Sequence, residues 1–167
     1  RHTPHLTAKM MTKRPEWISW CVQTDWGRGY PNVWLGASVE NQFTVDNHIP
    51  ILLSTPAQLH FVAYEPALEP IDLSPYLTAQ VKGERTLDWV MCGGESGPDA
   101  RPMELEWAAD VRDQCIQAGV PFFLKQLGGD KSRRGWDEAI LDGQLWHEMP
   151  IYTVIMPNKP PEQLSLF

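Results

Sequence analysis

The chain has 167 residues, 43% of them hydrophobic, which fits a single globular domain with a substantial core. Its net charge of -7 has the wrong sign for holding nucleic acid by general attraction to phosphate, so any such contact must be local or assisted. With no apolar run near the roughly 20 residues of a membrane helix and no leader-like start, the sequence predicts a soluble, cytoplasmic protein without membrane contact.

Five short apolar runs, rich in β-branched and aromatic residues, are typical of buried strands. They are Leu6–Met11, Val33–Ala37, Leu59–Tyr64, Trp89–Cys92 and Pro121–Leu124. The first four end 26, 27 and 28 residues apart and the fifth ends 32 residues later, which leaves room for a helix between neighbouring strands. This regular spacing predicts a parallel sheet built from βαβ units.

Four helices are predicted between these strands from apolar periodicity and from Pro and Gly at their ends. They cover Pro15 to Val22, Glu40 to Leu53, Leu73 to Gln80, and Met103 to Gly119. Residues 130–143 carry charges and glycines without periodicity, and no element is predicted there. The predicted fold is α/β, a partial parallel (β/α) barrel of the TIM type with about five strands over residues 1–150, followed by an extension over residues 151–167. Because the chain opens on Arg1 before a strand, we expect it to be part of a longer gene product.

Charged or amide side chains follow every predicted strand, and strand carboxyl ends are where parallel α/β folds place reacting groups. Catalytic roles are predicted for Glu65, Glu95 and Lys125. The residues predicted to bind a ligand or cofactor are Lys13, Arg14, Ser38, Glu40, Asn41, Gly93, Gly94, Glu95, Ser96 and Gln126. Such a ring offers both charges to a zwitterion, and glycine N–H groups could face its anionic part. The alternative is a solvated rim whose charges pair with one another.

Four phrases in the sequence resemble a bacteriophage and prophage protein family of unassigned function, over roughly residues 5 to 150. The phrases are Leu-Thr-Ala-Lys-Met-Met-Thr-Lys-Arg-Pro-Glu, Asn-Val-Trp-Leu-Gly-Ala-Ser-Val-Glu-Asn-Gln, Trp-Val-Met-Cys-Gly-Gly-Glu-Ser-Gly-Pro and Pro-Phe-Phe-Leu-Lys-Gln. That family is similar to the radical S-adenosylmethionine enzymes. Complete members carry a cysteine-rich segment, ending in Cys-Tyr-Ala, upstream of the part present here.

The resemblance implies S-adenosylmethionine and a [4Fe–4S] cluster as cofactors of the complete protein, with the cluster thiolates in the upstream segment. No cofactor or metal is expected on residues 1–167 alone, because Cys21, Cys92 and Cys115 are widely spaced and each is predicted to be a core residue rather than a ligand. Of the three, Cys92 is the first candidate for an exception, because it sits at a strand end. Gly93-Gly94-Glu95 resembles the phrase that commonly contacts the methionyl amino group in those enzymes. It departs from their pattern by following the fourth strand rather than an early one.

A basic loop with an aromatic side chain is the predicted nucleic-acid contact, through Lys131, Arg133, Arg134 and Trp136. A solvated charge run beside a half-buried indole is the alternative. The five histidines show no ligand spacing, and no role is assigned to them.

The last eleven residues, 157–167, contain three prolines and end in a short apolar peptide. That peptide is Gln163, Leu164, Ser165, Leu166 and Phe167, and it looks like the motif with which bacterial DNA polymerases and repair proteins bind the sliding clamp. A terminal apolar patch that folds back on its own domain is the alternative.

The sequence thus predicts part of a radical S-adenosylmethionine-like phage or prophage enzyme acting on nucleic acid or its precursors, possibly held at the sliding clamp. Two alternatives stay open. One is a non-catalytic replisome adaptor, and the other is a cluster-free α/β hydrolase or transferase with Glu65 or Glu95 as general base.

Overall fold

Five parallel strands form the framework of the protein in a computed structural model, which describes residues 6–79, 81–129 and 139–151. The strands are β1 (Ala8–Thr12), β2 (Val33–Val39), β3 (His60–Tyr64), β4 (Trp89–Gly93) and β5 (Phe122–Gln126). They lie side by side in chain order. This order belongs to an arc of a (β/α) barrel, whereas a doubly wound sheet reverses its order part-way. The predicted α/β fold with a parallel sheet is confirmed.

Helices connect the strands, and the two longest match the prediction closely. They are α1 (Ile18–Cys21), preceded by a 3-10 turn over Pro15–Trp17, α2 (Gln42–Ser54), α3 (Ser74–Leu77) and α4 (Leu105–Ala118). Asn41 and Thr44 form a capping box at the start of α2, and Gly119, at φ 70°, ends α4 by donating its N–H to Cys115 and Ile116 carbonyls. The element predicted from Leu73 to Gln80 is shorter, at four residues.

The two faces of the sheet carry different layers because strand side chains alternate. On one face Leu35, Val62 and Val90 join α2 and α4 in the main core. On the other face Trp34, Phe61 and Trp89 form an aromatic layer. Lys9 of β1 lies over the Trp89 ring of β4 at 5.1 Å, although strands three places apart in a flat sheet are separated by roughly 14 Å. The sheet therefore curves towards this aromatic face, which is its concave face.

Residues after β5 cover the outer edge of that strand. A hairpin of β6 (Ile140–Leu141) and β7 (Gln144–Leu145) leads into a short antiparallel segment along β5. There Leu124 donates its N–H to the Trp146 carbonyl at 2.7 Å, and Trp89 Nε1 donates to the Glu148 carbonyl at 2.9 Å. The β5 edge is thereby closed by the chain itself.

The opposite edge, β1, is open, and here the prediction of a buried strand is wrong. Met10 and Met11 are 45% and 53% exposed, because β1 has a neighbour on one side only within the described ranges. Apolar composition identified the strand but not its position at the edge of the sheet.

Candidate functional site

Glu65 lies at the centre of a polar cluster at the carboxyl ends of the strands. It follows β3 directly, and Ser38 of β2 donates its hydroxyl to the Glu65 carbonyl at 3.0 Å. Lys125 of β5 donates to both carboxylate oxygens at 2.9 and 3.1 Å, and Gln126 Nε2 donates to one of them at 3.1 Å. We call Ser38, Glu65, Lys125 and Gln126 the Glu65 cluster. Two charges of opposite sign are thus held together from strands separated in sequence.

The Glu65 cluster is only partly open to solvent. The side chains of Glu65 and Lys125 are 20% and 38% exposed. Gly93 lies beside Glu65 and Gln126: a Cβ at this position would lie at an ordinary contact distance of 3.4 Å from both Glu65 Cδ and Gln126 Cγ. Because partial burial weakens screening by solvent, this ion pair interacts more strongly with the charges of a ligand than a fully exposed pair would.

Two further ion pairs flank the Glu65 cluster at the same edge. Lys13, after β1, pairs with Glu40, after β2. Glu95, after β4, receives Arg101 Nε at 2.7 Å and Nη2 at 2.9 Å in a bidentate pair, and the backbone N–H of Arg101 at 2.9 Å. Arg101 was not predicted, because it stands inside the β4–α4 loop and not at the end of a strand.

These two flanking pairs also act on each other. The hydrogen bonds from Arg101 are the main cause that lowers the pKa of Glu95 to about 2, and the charge of Lys13 contributes. In turn the charge of Glu40 raises the pKa of Arg101, behind the larger effect of Glu95. The ends of β1, β2 and β4 therefore meet in one electrostatic neighbourhood, as expected for a curved sheet.

The glycines after β4 serve close backbone packing. A Cβ on Gly94 would lie 2.6 Å from the Leu127 carbonyl oxygen and 2.9 Å from Gly128 Cα. The Gly94 N–H donates to the Gln126 carbonyl at 3.1 Å, and the next residues continue this pairing through the bridge between Ser96 and Gly129. The Gly94 N–H, predicted to face a ligand, is used within the fold.

The other predicted ligand-binding residues have local partners. Asn41 accepts the N–H of Thr44 as the cap of α2. Arg14 pairs with Glu16 at 3.0 Å and lies over the Trp17 ring, beside β1 and apart from the Glu65 cluster. Of the predicted ring, the structure thus brings Glu65, Lys125, Gln126 and Ser38 into one cluster and Lys13, Glu40 and Glu95 into its flank.

A family model described as a protein of unknown function (DUF5131) matches residues 1–150. The chain belongs to this family. No curated protein and no solved structure shows a significant match to it. The expected membership in a family of unassigned function is confirmed at this level, while phage origin and kinship with radical enzymes stay predictions.

The cysteines of this DUF5131 chain are not part of the Glu65 cluster, although the charge of Glu65 contributes, after burial, to raising the pKa of the Cys92 thiol. Cys92 and Cys115 are buried in the core under the helices, and burial raises the pKa of both thiols, that of Cys115 to about 12. Cys21 is exposed at the end of α1. In the described part of the chain, no three His, Cys, Asp or Glu side chains are grouped so as to hold a metal ion.

Several predicted residues of the DUF5131 chain lie outside the described residues. They are Lys131, Arg133, Arg134 and Trp136 of the basic loop, and Gln163, Leu164, Ser165, Leu166 and Phe167 of the terminal peptide. Their roles stay predictions from sequence. Among the described residues, no helix is long and apolar enough to cross a membrane.

Proposed function

We propose that this chain forms the strand-end ligand site of a radical S-adenosylmethionine-like phage or prophage enzyme that acts on nucleic acid or its precursors. In this proposal Lys125 binds the carboxylate of S-adenosylmethionine and Glu65 binds its ammonium group. The observation that carries it is the partly buried Glu65 cluster, where both charges meet at the carboxyl ends of parallel strands. Strand ends are the usual ligand position in such folds.

The charges of the Glu65 cluster fit the amino-acid end of S-adenosylmethionine. Lys125 and Glu65 are paired with each other before a ligand binds. When a zwitterion enters, its carboxylate can pair with Lys125 and its ammonium group with Glu65, so no buried charge is left without a partner. Gln126 Nε2 is shared between Glu65 and the Gly94 carbonyl at 3.0 Å, which fixes the carboxylate while the ligand enters.

Cys92 and Cys115 do not fit an iron–sulfur cluster, and the exposed Cys21 alone cannot supply the three thiolates that it needs. Cys92 and Cys115 face the helix-side core with raised thiol pKa values, and a cluster needs thiolates. A cluster that binds S-adenosylmethionine supplies radical chemistry. Its thiolates are expected, from the family resemblance, in a segment upstream of Arg1, and a tight trio of cysteines in that segment would support this part of the proposal.

The cluster-free hydrolase or transferase is the weaker alternative because one of its two proposed bases is unsuited to proton transfer. Glu95 has a pKa of about 2, and a carboxylate that resists protonation so strongly is a poor general base at neutral pH. This residue instead holds the loop between β4 and α4 through Arg101.

The proposal is tested by calorimetric titration with S-adenosylmethionine of the complete protein that the resemblance implies, with its upstream cysteine-rich segment, because no cofactor is expected on residues 1–167 alone. We expect saturable binding, and a loss of roughly tenfold or more in affinity for Glu65→Gln and for Lys125→Met, because each removes a charge-assisted hydrogen bond. Glu106→Gln and Lys82→Met change exposed charges elsewhere and should keep the original affinity. Absence of binding, or equal losses in the control variants, would contradict the proposal. Urea unfolding of each variant excludes loss of the fold as the cause.

A further inference from the structure

The side-chain amide of Gln126 is held in a fixed orientation beside Glu65. Its Nε2 donates to Glu65 Oε1 at 3.1 Å and to the Gly94 carbonyl at 3.0 Å, so both amide hydrogens are used. An amide turned the other way would set its oxygen against these two acceptors and lose both hydrogen bonds. The two acceptors therefore determine which end of the amide points away from them.

The Oε1 atom of Gln126 is an unused acceptor at the edge of the Glu65 cluster. Within residues 6–79, 81–129 and 139–151 it accepts no hydrogen bond, and it is not buried. The side chain as a whole is half-buried, at the end of β5. An acceptor that is fixed in position, partly shielded from water and still accessible is suited to a donor carried by a ligand.

One ammonium nitrogen can contact this oxygen and Glu65 at the same time. The oxygen and nitrogen of an amide are about 2.3 Å apart, so Gln126 Oε1 lies within about 5.4 Å of Glu65 Oε1. A nitrogen that hydrogen-bonds two oxygens at about 2.9 Å each can bridge up to about 5.8 Å. Because a primary ammonium group has three N–H donors, it can supply both oxygens.

An amide offers this acceptor without adding a second negative charge. A carboxylate at position 126 would face the Glu65 carboxylate and the Gly94 carbonyl with no hydrogen to donate, and the like charges would repel. Gln126 instead presents a donor to Glu65 and an acceptor to a ligand. The adjacent Lys125 supplies the positive charge for a ligand carboxylate.

We propose that Gln126 is a specificity-determining residue: its Oε1 accepts a hydrogen bond from the ammonium group of the ligand while Glu65 accepts another. The inference rests on the proposed function, because it requires an amino-acid end at the Glu65 cluster. It deepens that function by naming the group that is selected, a free primary amine next to a carboxylate. A ligand without the amino group leaves both acceptors without this donor and is bound less well.

Calorimetric titration of the complete protein with S-adenosylmethionine, and with its analogue that lacks the amino group, tests this role. We expect Gln126→Met to weaken binding of S-adenosylmethionine roughly fivefold or more, because a hydrogen bond to a charged group is lost, and to leave the affinity for the analogue unchanged. Gln126→Asn, whose amide is withdrawn by one methylene, should show the same pattern. Gln117→Met, at an exposed glutamine of α4, is the matched control and should bind both ligands as the original protein does.

A double-mutant cycle separates direct contact from positioning of Glu65. In the Glu65→Gln background the Gly94 carbonyl still holds the Gln126 amide, so Gln126→Met should cause a further loss of roughly threefold or more. No further loss would overturn the inference, because Gln126 would then act only through Glu65. Equal losses for the two ligands would also overturn it, since the effect would not depend on the ammonium group. Urea unfolding identifies a variant that has lost its fold, and Gln126→Asn then gives the same comparison.

Failure of this inference can be told from failure of the proposed function. If the affinity falls for Glu65→Gln and Lys125→Met but not for Gln126→Met, only the role of Gln126 is wrong. If the original protein does not bind S-adenosylmethionine, or if Glu65→Gln and Lys125→Met bind it as the original does, the proposed function is wrong and this inference is wrong with it.

Discussion

The pair of Glu95 and Arg101 shows how a single residue sets the character of a strand-end loop. The Arg101 side chain donates two hydrogen bonds to the Glu95 carboxylate in a bidentate arrangement, and the Arg101 backbone N–H donates a third. A carboxylate bound in this way favours its ionised form, which explains the low pKa. Glu95 therefore acts as a fixed negative charge that holds the loop closed. In sequence it resembles an amine-binding glutamate, but in the structure its carboxylate already has hydrogen-bond partners.

The low pKa of Glu95 predicts a specific dependence of stability on pH. Folding lowers its pKa from 4.5 to about 2, so its contribution is complete above pH 4.5 and disappears as the pH falls towards 2. Glu95→Gln should have less stability than the original chain at neutral pH, and this difference should shrink over that window. Urea unfolding midpoints measured between pH 7 and pH 2 check this. A difference that stays constant with pH would contradict it, and Glu106→Gln is the control.

At the residue scale, the rule that reacting groups follow parallel strands predicts Glu65 and Lys125 as site residues. It cannot predict that their side chains pair with each other. Both follow apolar runs in the sequence, so their edge of the sheet was predictable. That they meet depends on the order of β3, β4 and β5 in the sheet and on Ser38, which holds the Glu65 carbonyl; these are features of packing. Arg101 lacked a signal altogether, because a loop arginine six residues after a glutamate is usually solvated.

At the scale of elements, the loops after β4 and β5 are joined through two glycines. Gly94 and Gly128 face each other so closely that a Cβ on either would lie under 3.0 Å from backbone of the other loop. Backbone atoms cannot rotate away as a side chain can, so the contact requires glycine. This packing places Gln126 and Glu95 on the same edge and thereby positions the Glu65 cluster.

A matched pair of substitutions tests this requirement. Gly94→Ala should reduce the free energy of unfolding by about 1–3 kcal/mol, the usual cost of overpacking. Gly93→Ala, the adjacent control, should cost less, because its Cβ would meet Glu65 and Gln126 side chains at ordinary contact distances of 3.4 Å. Urea denaturation of both variants gives the comparison. Equal destabilisation would show that the backbone contact at Gly94 does not determine the effect.

Elements also differ in how far sequence predicts them. α4 was predictable because its apolar positions recur at helical intervals and Gly119 ends it. α3 ends earlier than predicted because Thr78 adopts an extended conformation, which the sequence pattern does not indicate. The antiparallel segment along β5 gave no apolar pattern, since its pairing uses backbone groups of Trp146 and Glu148.

At the scale of the whole molecule, net charge limits how this protein can stay near nucleic acid. A chain of net charge -7 is repelled by phosphate at long range, so any contact with nucleic acid can act only once the strand is close. Attachment to a protein that already encircles DNA would supply that proximity by raising the local concentration. The proposed clamp-binding peptide would meet this need.

The peptide prediction is tested on residues 157–167 and on the whole chain. Because a short motif bears an ordering cost on binding, we expect micromolar affinity for a bacterial sliding clamp, with most of it lost when Leu166 and Phe167 are replaced by Ala. Glu162→Ala, outside the apolar anchors, should bind nearly as well. Surface plasmon resonance on immobilised clamp measures all three. If the intact chain shows no tail-dependent binding at high micromolar concentration, then attachment to the clamp cannot offset the repulsion between this acidic chain and phosphate.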